Sequence, residues 1–347
     1  MRVRRTILAV CLSALALTPV LASAEGKFSA WVFGDYYYFA DNHDSVLVDQ
    51  NGFWFRIVNL TWDEEFDDEL SARLKIESAS PGSFTNSPAS MLTYMKDVWI
   101  KWSRSDQAVI LGLSTTVSHS YTEDIWGYRH LEKIPFEMAG FGGSRDVGLA
   151  VTGAVLAENR LGYHIMLANG NGLLNEQDGE KRISGSLRYQ LSGTLSVEMY
   201  GDFEDRPDNS DRVTFRGFAG YRAEKARAGV EYVQQTRDQP SGGSYDLRVV
   251  SGFVTGKVAE KVWLVARVDR HLDADPNYSA ASPPGRPYFP WDASVTSTFV
   301  LAGMELVARE NVTFTPNVEA TVYDAPDGGG PDPADDIVAR VTFMFKY

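Results

Sequence analysis

Charged and histidine side chains carry most of the chemistry open to this chain, and their spacing decides its kind. His43, His119, His130, His164 and His271 are scattered, with no metal-ligand spacing among them. Serine adjoins histidine in His43-Asp44-Ser45 and His119-Ser120. Sequence neighbours in a loop rarely form the separate nucleophile, base and orienting group of a hydrolase, and neither a Gly-x-Ser-x-Gly elbow nor a phosphate loop is present. The one cysteine, Cys11, lies close to the N-terminus, so thiolate catalysis, thiolate metal sites and disulfides are not expected in the remainder. The expectation is a chain that is not an enzyme, with no cofactor and no metal.

The spacing that does recur is charge at alternate positions. In 70–77, Ser71, Arg73, Lys75 and Glu77 alternate with Ala72, Leu74 and Ile76. Asp97, Trp99 and Lys101 alternate with Val98, Ile100 and Trp102; Glu198 and Asp202 face away from Leu195, Val197 and Met199; Asn317, Glu319 and Thr321 face away from Val318, Ala320 and Val322. A period of two puts each set on one face of a strand. The polar faces collect Arg73, Lys75, Lys101, Arg188, Arg216, Arg222, Arg227, Arg267 and Arg340, answered by Asp35, Asp97, Glu198, Asp202, Glu231, Asp269, Glu305 and Glu319. If the apolar faces meet lipid, Arg73, Lys75, Lys101, Arg188, Arg216, Arg267 and Arg340 line a wet lumen. The lumen then attracts anions, or its charges simply pair across neighbouring strands.

Positioning such faces takes many strands. Segments of about ten residues fall near 28–39, 52–63, 69–78, 94–103, 106–114, 146–157, 160–169, 182–190, 193–203, 212–223, 226–236, 246–257, 260–270, 297–308, 311–323 and 335–347. Gaps between them alternate almost throughout between one or two residues and much longer stretches. Short turns at one rim and long loops at the other, with an even strand number, are how bacterial outer-membrane barrels are built. The expected fold is all-β, a transmembrane antiparallel up-and-down barrel of about 16 strands. Tyr36, Tyr37, Tyr38 and Phe39 are expected at one membrane interface, and Trp62, Trp102 and Tyr221 at the other. The segment 337–347 alternates to its terminal Tyr347 and is expected to close the barrel against the first strand.

The longest gap, 115–145, follows the fifth strand and holds Glu123, Asp124, Arg129, His130, Lys133 and Arg145, besides His119, Glu132 and Glu137. Long structureless segments usually have a role. Either this one folds inward and narrows the lumen, its charges setting selectivity, or it lies outside as a surface loop. The segment 273–291, with Pro276, Pro283, Pro284, Pro287 and Pro290, reads as a stiffened outer loop that could touch lipopolysaccharide.

The N-terminus fits export. Arg2, Arg4 and Arg5 precede an apolar stretch at 7–17, and Ala22-Ser23-Ala24 supplies a cleavage pattern. Residues 1–24 read as a signal peptide and 25–347 as a single barrel domain. The whole chain carries 33 basic and 46 acidic residues, a net charge of -13. Without the three signal arginines the acidic excess deepens, which argues against a nucleic-acid partner. Outer-membrane lipid and small hydrophilic solutes are the partners such a barrel needs.

Three stretches carry a family resemblance: Phe33-Gly34-Asp35-Tyr36-Tyr37-Tyr38-Phe39, Gly52-Phe53-Trp54-Phe55-Arg56, and Arg145-Asp146-Val147-Gly148-Leu149-Ala150-Val151-Thr152-Gly153. They resemble the phosphate-selective porin O/P type of sixteen-stranded porin, whose members open a strand with Arg-Asp-x-Gly after their longest loop. The terminal aromatic, Tyr347, resembles the assembly signal of outer-membrane barrels. The resemblance implies a bacterial outer-membrane porin, a homotrimer, passing small solutes by passive diffusion with a leaning toward anions. Two alternatives stay open: a specific channel for phosphate-like or carboxylate anions, and a barrel that scaffolds partners such as an electron carrier.

Overall fold

Strands that turn one apolar face to lipid need a partner on both edges, because an open edge leaves backbone groups unsatisfied at several kcal/mol each. The computed structural model of the chain meets that demand by closure. It describes residues 26–80, 90–156, 158, 160–279, 288–289, 291–326, 329 and 332–347. The signal segment 1–24, and Pro283, Pro284, Pro287 and Pro290, lie outside the described residues.

The strands are β1 (Lys27–Asp41), β2 (Asn51–Glu65), β3 (Leu70–Ala79), β4 (Leu92–Arg104), β5 (Gln107–Thr115), β6 (Arg145–Val155), β7 (Leu161–Ala168) and β8 (Arg182–Gln190). They continue as β9 (Leu195–Glu204), β10 (Arg212–Ala223), β11 (Ala226–Asp238), β12 (Ser244–Ala259), β13 (Val262–His271), β14 (Ser297–Arg309), β15 (Val312–Tyr323) and β16 (Asp336–Lys346). All are antiparallel to their sequence neighbours, and β16 pairs with β1 from Trp31↔Lys346 to Asp41↔Ile337, so the sixteen strands form a closed barrel. Each lies within a few residues of its expected position. Between β5 and β6 come three short helices, α1 (Val117–Ser120), α2 (Thr122–Trp126) and α3 (Pro135–Met138). No helix among the described residues is long and apolar enough to cross a membrane.

One rim carries the brief turns 105–106, 224–225, 260–261 and 310–311, together with both ends of the barrel chain. The other carries 42–50, 80–91, 116–144, 169–181, 272–296 and 324–335, and also two shorter links, 205–211 and 239–243. The outer face is apolar between the rims: Leu74, Val98, Ile100, Leu149, Ile165, Met199, Val230, Val254, Leu264, Val318 and Val341 are all exposed. Trp62, Trp102 and Tyr221 are exposed near the short-turn rim, and Tyr36 and Tyr38 near the other. Tyr37 and Phe39 depart from expectation. Side chains alternate across a strand, so these two point inward and pack on each other and on Phe289 (Tyr37–Phe39 centroids 5.6 Å, Phe39–Phe289 5.5 Å).

Bulges interrupt the period of two where charge is placed. Between Phe33↔Ile57 and Gly34↔Phe55 the extra residue is Arg56, and between Lys75↔Asp97 and Ile76↔Met95 it is Lys96. Gly34 permits the first, since a Cβ there would lie 2.3 Å from the Trp54 carbonyl oxygen.

Candidate functional site: the barrel interior

The segment 116–144 cannot satisfy its backbone by strand pairing, so its carbonyls must find other donors. Arginine suits the task, having five N–H groups and so able to hold a carboxylate and a carbonyl together. Arg216 of β10 binds Glu198 at 2.6 Å and donates to the carbonyl of Ser118 at 2.5 Å and to Thr122 Oγ1 at 3.3 Å. Arg267 of β13 pairs with Asp269 at 2.5 Å and donates to the carbonyl of Lys133. Arg340 of β16 pairs with Glu319 and reaches the carbonyl of Leu131 at 3.2 Å. Arg56 pairs with Asp35 at 2.5 Å and donates to the carbonyls of Leu131 (2.8 Å) and His130. Arg237, paired with Asp275, reaches Gly140, and Gln235 reaches Phe141 at 2.9 Å.

Beneath this clasp is an apolar core inside the barrel. Val117, Trp126, Leu131, Ile134, Phe136, Met138 and Phe141 of the segment pack with Val233, Val249, Val265, Phe299 and Leu301 of the wall. Arg216, Arg267 and Arg340 point inward as the strand pattern expects, yet at 0, 2 and 3 % exposure they touch the segment rather than solvent. His130 is likewise buried, its Nε2 3.5 Å from Glu305.

A second charge group sits opposite, at the height where β3, β4 and β6 face the segment. On the wall, Lys96 binds Glu77 at 3.0 Å and Arg145 binds Asp97. On the segment, Glu137 gathers Arg129 (3.6 Å), Lys133 (3.6 Å) and His119 Nε2 (3.4 Å), and Arg129 also lies 3.6 Å from Glu123. Burial alone would raise the Glu137 carboxyl, but Arg129 and Lys133 outweigh it and hold Glu137 well below the usual range. Burial lowers His119 instead, which favours the neutral ring. Nearer the short-turn rim Asp124 binds Arg222 at 2.5 Å, and its carbonyl accepts from Arg227.

In the arc from β3 to β8 three wall cations form no ion pair among the described residues, as is also true of Arg212 of β10 and Arg227 of β11. Arg73 is matched to Asp63 at 2.6 Å, but Lys75, Lys101 and Arg188 enter no ion pair among the described residues. Lys101 lies over Trp99 (5.8 Å) and Arg188 over Tyr121 (4.7 Å). Of the residues that the strand pattern assigned to the wall, then, three sit in this arc without an ion pair, one is paired there, and three are covered.

The clasping arginines Arg56 and Arg237, the donor Gln235 and the bulged Lys96 were not singled out by sequence pattern. Inward apolar residues such as Val233, Val249 and Leu301 were a legible sign that something packs inside. Among the described residues no group of histidine, aspartate or glutamate side chains is arranged to hold a metal ion.

Comparison with solved structures follows the same architecture. The anion-selective porin from Comamonas acidovorans superposes with a TM-score of 0.64, at 12% identity, over 93% of this chain and 100% of that one. The fold is the porin fold. The outer membrane channel DcaP of Acinetobacter baumannii (TM-score 0.64, 12% identity, 93% and 97% covered) and OmpF of Salmonella typhi in complex with daunomycin (0.63, 11%, 93% and 98%) agree. No protein-family model matches the chain, and no curated protein matches it. At these identities the likeness carries the fold alone.

Proposed function

We propose that this chain is a bacterial outer-membrane porin for passive diffusion of small hydrophilic solutes, preferring anions, with segment 116–144 as its constriction. The observation that carries this is the division of charge inside the barrel. The clasping arginines of β2, β10, β13 and β16 are each neutralised by a carboxylate at their side. The arc from β3 to β8 holds Lys75, Lys101 and Arg188 without an ion pair among the described residues, since Asp97 opposite Lys75 and Glu198 opposite Arg188 are engaged by Arg145 and Arg216. A fixed charge 5 Å from a passing ion in water is worth about 0.8 kcal/mol, roughly fourfold in local concentration.

The cations do not converge. Lys101 lies opposite Ser71, and Lys75 four residues further along β3, so they stand roughly 13 Å apart at strand rise. Arg188 is four strands round the wall from Lys101, about 19 Å at strand spacing. One small anion meets one cation at a time, which suits weak preference and transit. It does not suit the tight cage a phosphate-selective pore would need. The reading also takes 1–24 as a cleaved signal peptide and the assembly as a homotrimer in contact with lipid and lipopolysaccharide.

A planar-bilayer recording tests it. Stepwise conductance with a reversal potential favouring chloride in a potassium chloride gradient is the expected result. Replacing Lys75, Lys101 and Arg188 together by alanine moves that potential toward cation preference, and deleting 117–143 raises unit conductance. Saturation by one anion would make the pore a specific channel. Absence of any conductance in the wild type would overturn the reading in favour of a scaffold.

A further inference from the structure

Trp99 is out of place for a barrel tryptophan. Such rings gather on the outer face at the two membrane interfaces; this one is on the inner face of β4, half-buried, between Asp97 and Lys101. It belongs to none of the apolar clusters inside the barrel, so packing of the constriction segment does not explain it. Its indole N–H has no hydrogen-bond partner among the described residues, as is also true of the inward Trp31 and Trp263, whereas the N–H groups of Trp62, Trp102, Trp126 and Trp291 have one. Across β5 its register partner is Gly112, which adds no side chain beside the ring.

Two cations bracket the indole, Arg73 at 5.4 Å and Lys101 at 5.8 Å from the ring centroid. Arg73 is spent on Asp63 through two hydrogen bonds of 2.6 and 3.1 Å. Lys101 is not spent. The wall therefore offers an unpaired ammonium, an unpaired N–H and an aromatic face within one side chain's reach, on the arc where solute passes. Inorganic anions can use the ammonium and the N–H but gain nothing from the aromatic face. A carboxylate attached to a flat unsaturated ring can set its oxygens on Lys101 while its ring lies against the face of Trp99.

We infer that Trp99 and Lys101 form a subsite for planar aromatic carboxylates within the channel, an inference that rests on the diffusion-channel reading.

Benzoate, cyclohexanecarboxylate and acetate are the probes, added to single channels carrying chloride. Benzoate reduces the current at concentrations where the other two do not. Trp99→Leu weakens benzoate block by roughly three- to tenfold, the range expected for an aromatic pair. Trp99→Phe, which keeps a smaller aromatic face, falls between. Lys101→Gln weakens block by all three carboxylates. Saturation-transfer NMR of benzoate on micellar protein reads the same contact without any current, so a barrel that conducts nothing still tests the subsite. Equal block by benzoate and cyclohexanecarboxylate, or no change in Trp99→Leu, would overturn the inference while leaving the channel reading intact.

Discussion

Removing Arg216 should separate its two jobs, as partner of a buried carboxylate and as anchor of the constriction segment. Arg216 is fully buried, with Glu198 at 2.6 Å, the Ser118 carbonyl at 2.5 Å, and the rings of Tyr200 and Phe136 at 5.0 and 5.6 Å. Arg216→Met keeps most of the stem's packing and leaves Glu198, itself buried, without its cation. Breaking a buried pair from one side costs about 3–5 kcal/mol, because the surviving charge stays unpaired. Adding Glu198→Gln removes that charge, so the double variant should recover most of the loss. What it cannot restore is the donor to Ser118, and one lost hydrogen bond to a buried carbonyl costs about 1–3 kcal/mol. Urea unfolding in detergent micelles, followed by tryptophan fluorescence, should rank wild type above the double variant and both above Arg216→Met. Bilayer recordings should show added current noise in both variants, since α1 has lost its tether in each. Equal stability of the single and double variants would refute the charge-pair argument. A quiet, unchanged channel in both would refute the clasp.

Other outcomes follow from the same geometry. Leu74 faces outward beside Val98 and Trp62, and Leu74→Arg should cost about 2 kcal/mol, below the midplane maximum because Trp62 marks an interface nearby; a water-soluble thiol reagent should label a cysteine at 73 and spare one at 74, and the reverse would invert the faces. Deleting Tyr347, whose backbone bonds Ala30 in both directions, should lower barrel yield in cells, and normal yield would deny it a role in closure or targeting. His43, in the link after β1, meets Asp336 at 2.8 Å, with Tyr323, Asp292 and Asp44 around it. Burial lowers the ring's pKa, but the hydrogen bond and charge of Asp336 more than offset this and leave it raised. A raised histidine stabilises fully below its unfolded value near 6.5 and loses that contribution as pH climbs through the folded one. Hydrogen exchange in 42–50 should therefore be slowest in mild acid, beyond the intrinsic rate change, and His43→Gln should abolish the difference.

The barrel was legible because period two, turn length and a closing aromatic strand are all properties of local sequence. Face assignments around Leu74, Met199 and Val318 held for the same reason. The interior was less legible. A bulge at Arg56 puts both Arg56 and Ile57 inward, and strict alternation cannot place two neighbours on one face. The clasp joins strands far apart in sequence to carbonyls, which have no sequence signature at all. Reading every inward position as wet also missed β14, where Phe299-Val300-Leu301-Ala302 is apolar on both faces, the pattern of a strand buried on two sides.

The carbonyl of Leu131 accepts from Arg56 and from Arg340 together. Their strands, β2 and β16, are the two neighbours of β1, the strand at which the barrel closes. Neither contact alone reports that closure has happened; both together do. Both bonds can exist together only where β2 and β16 flank β1, as they do in the closed barrel. The segment 116–144 thus ties the barrel's seam from inside, and its place in the lumen and the closure of the wall meet at one carbonyl oxygen.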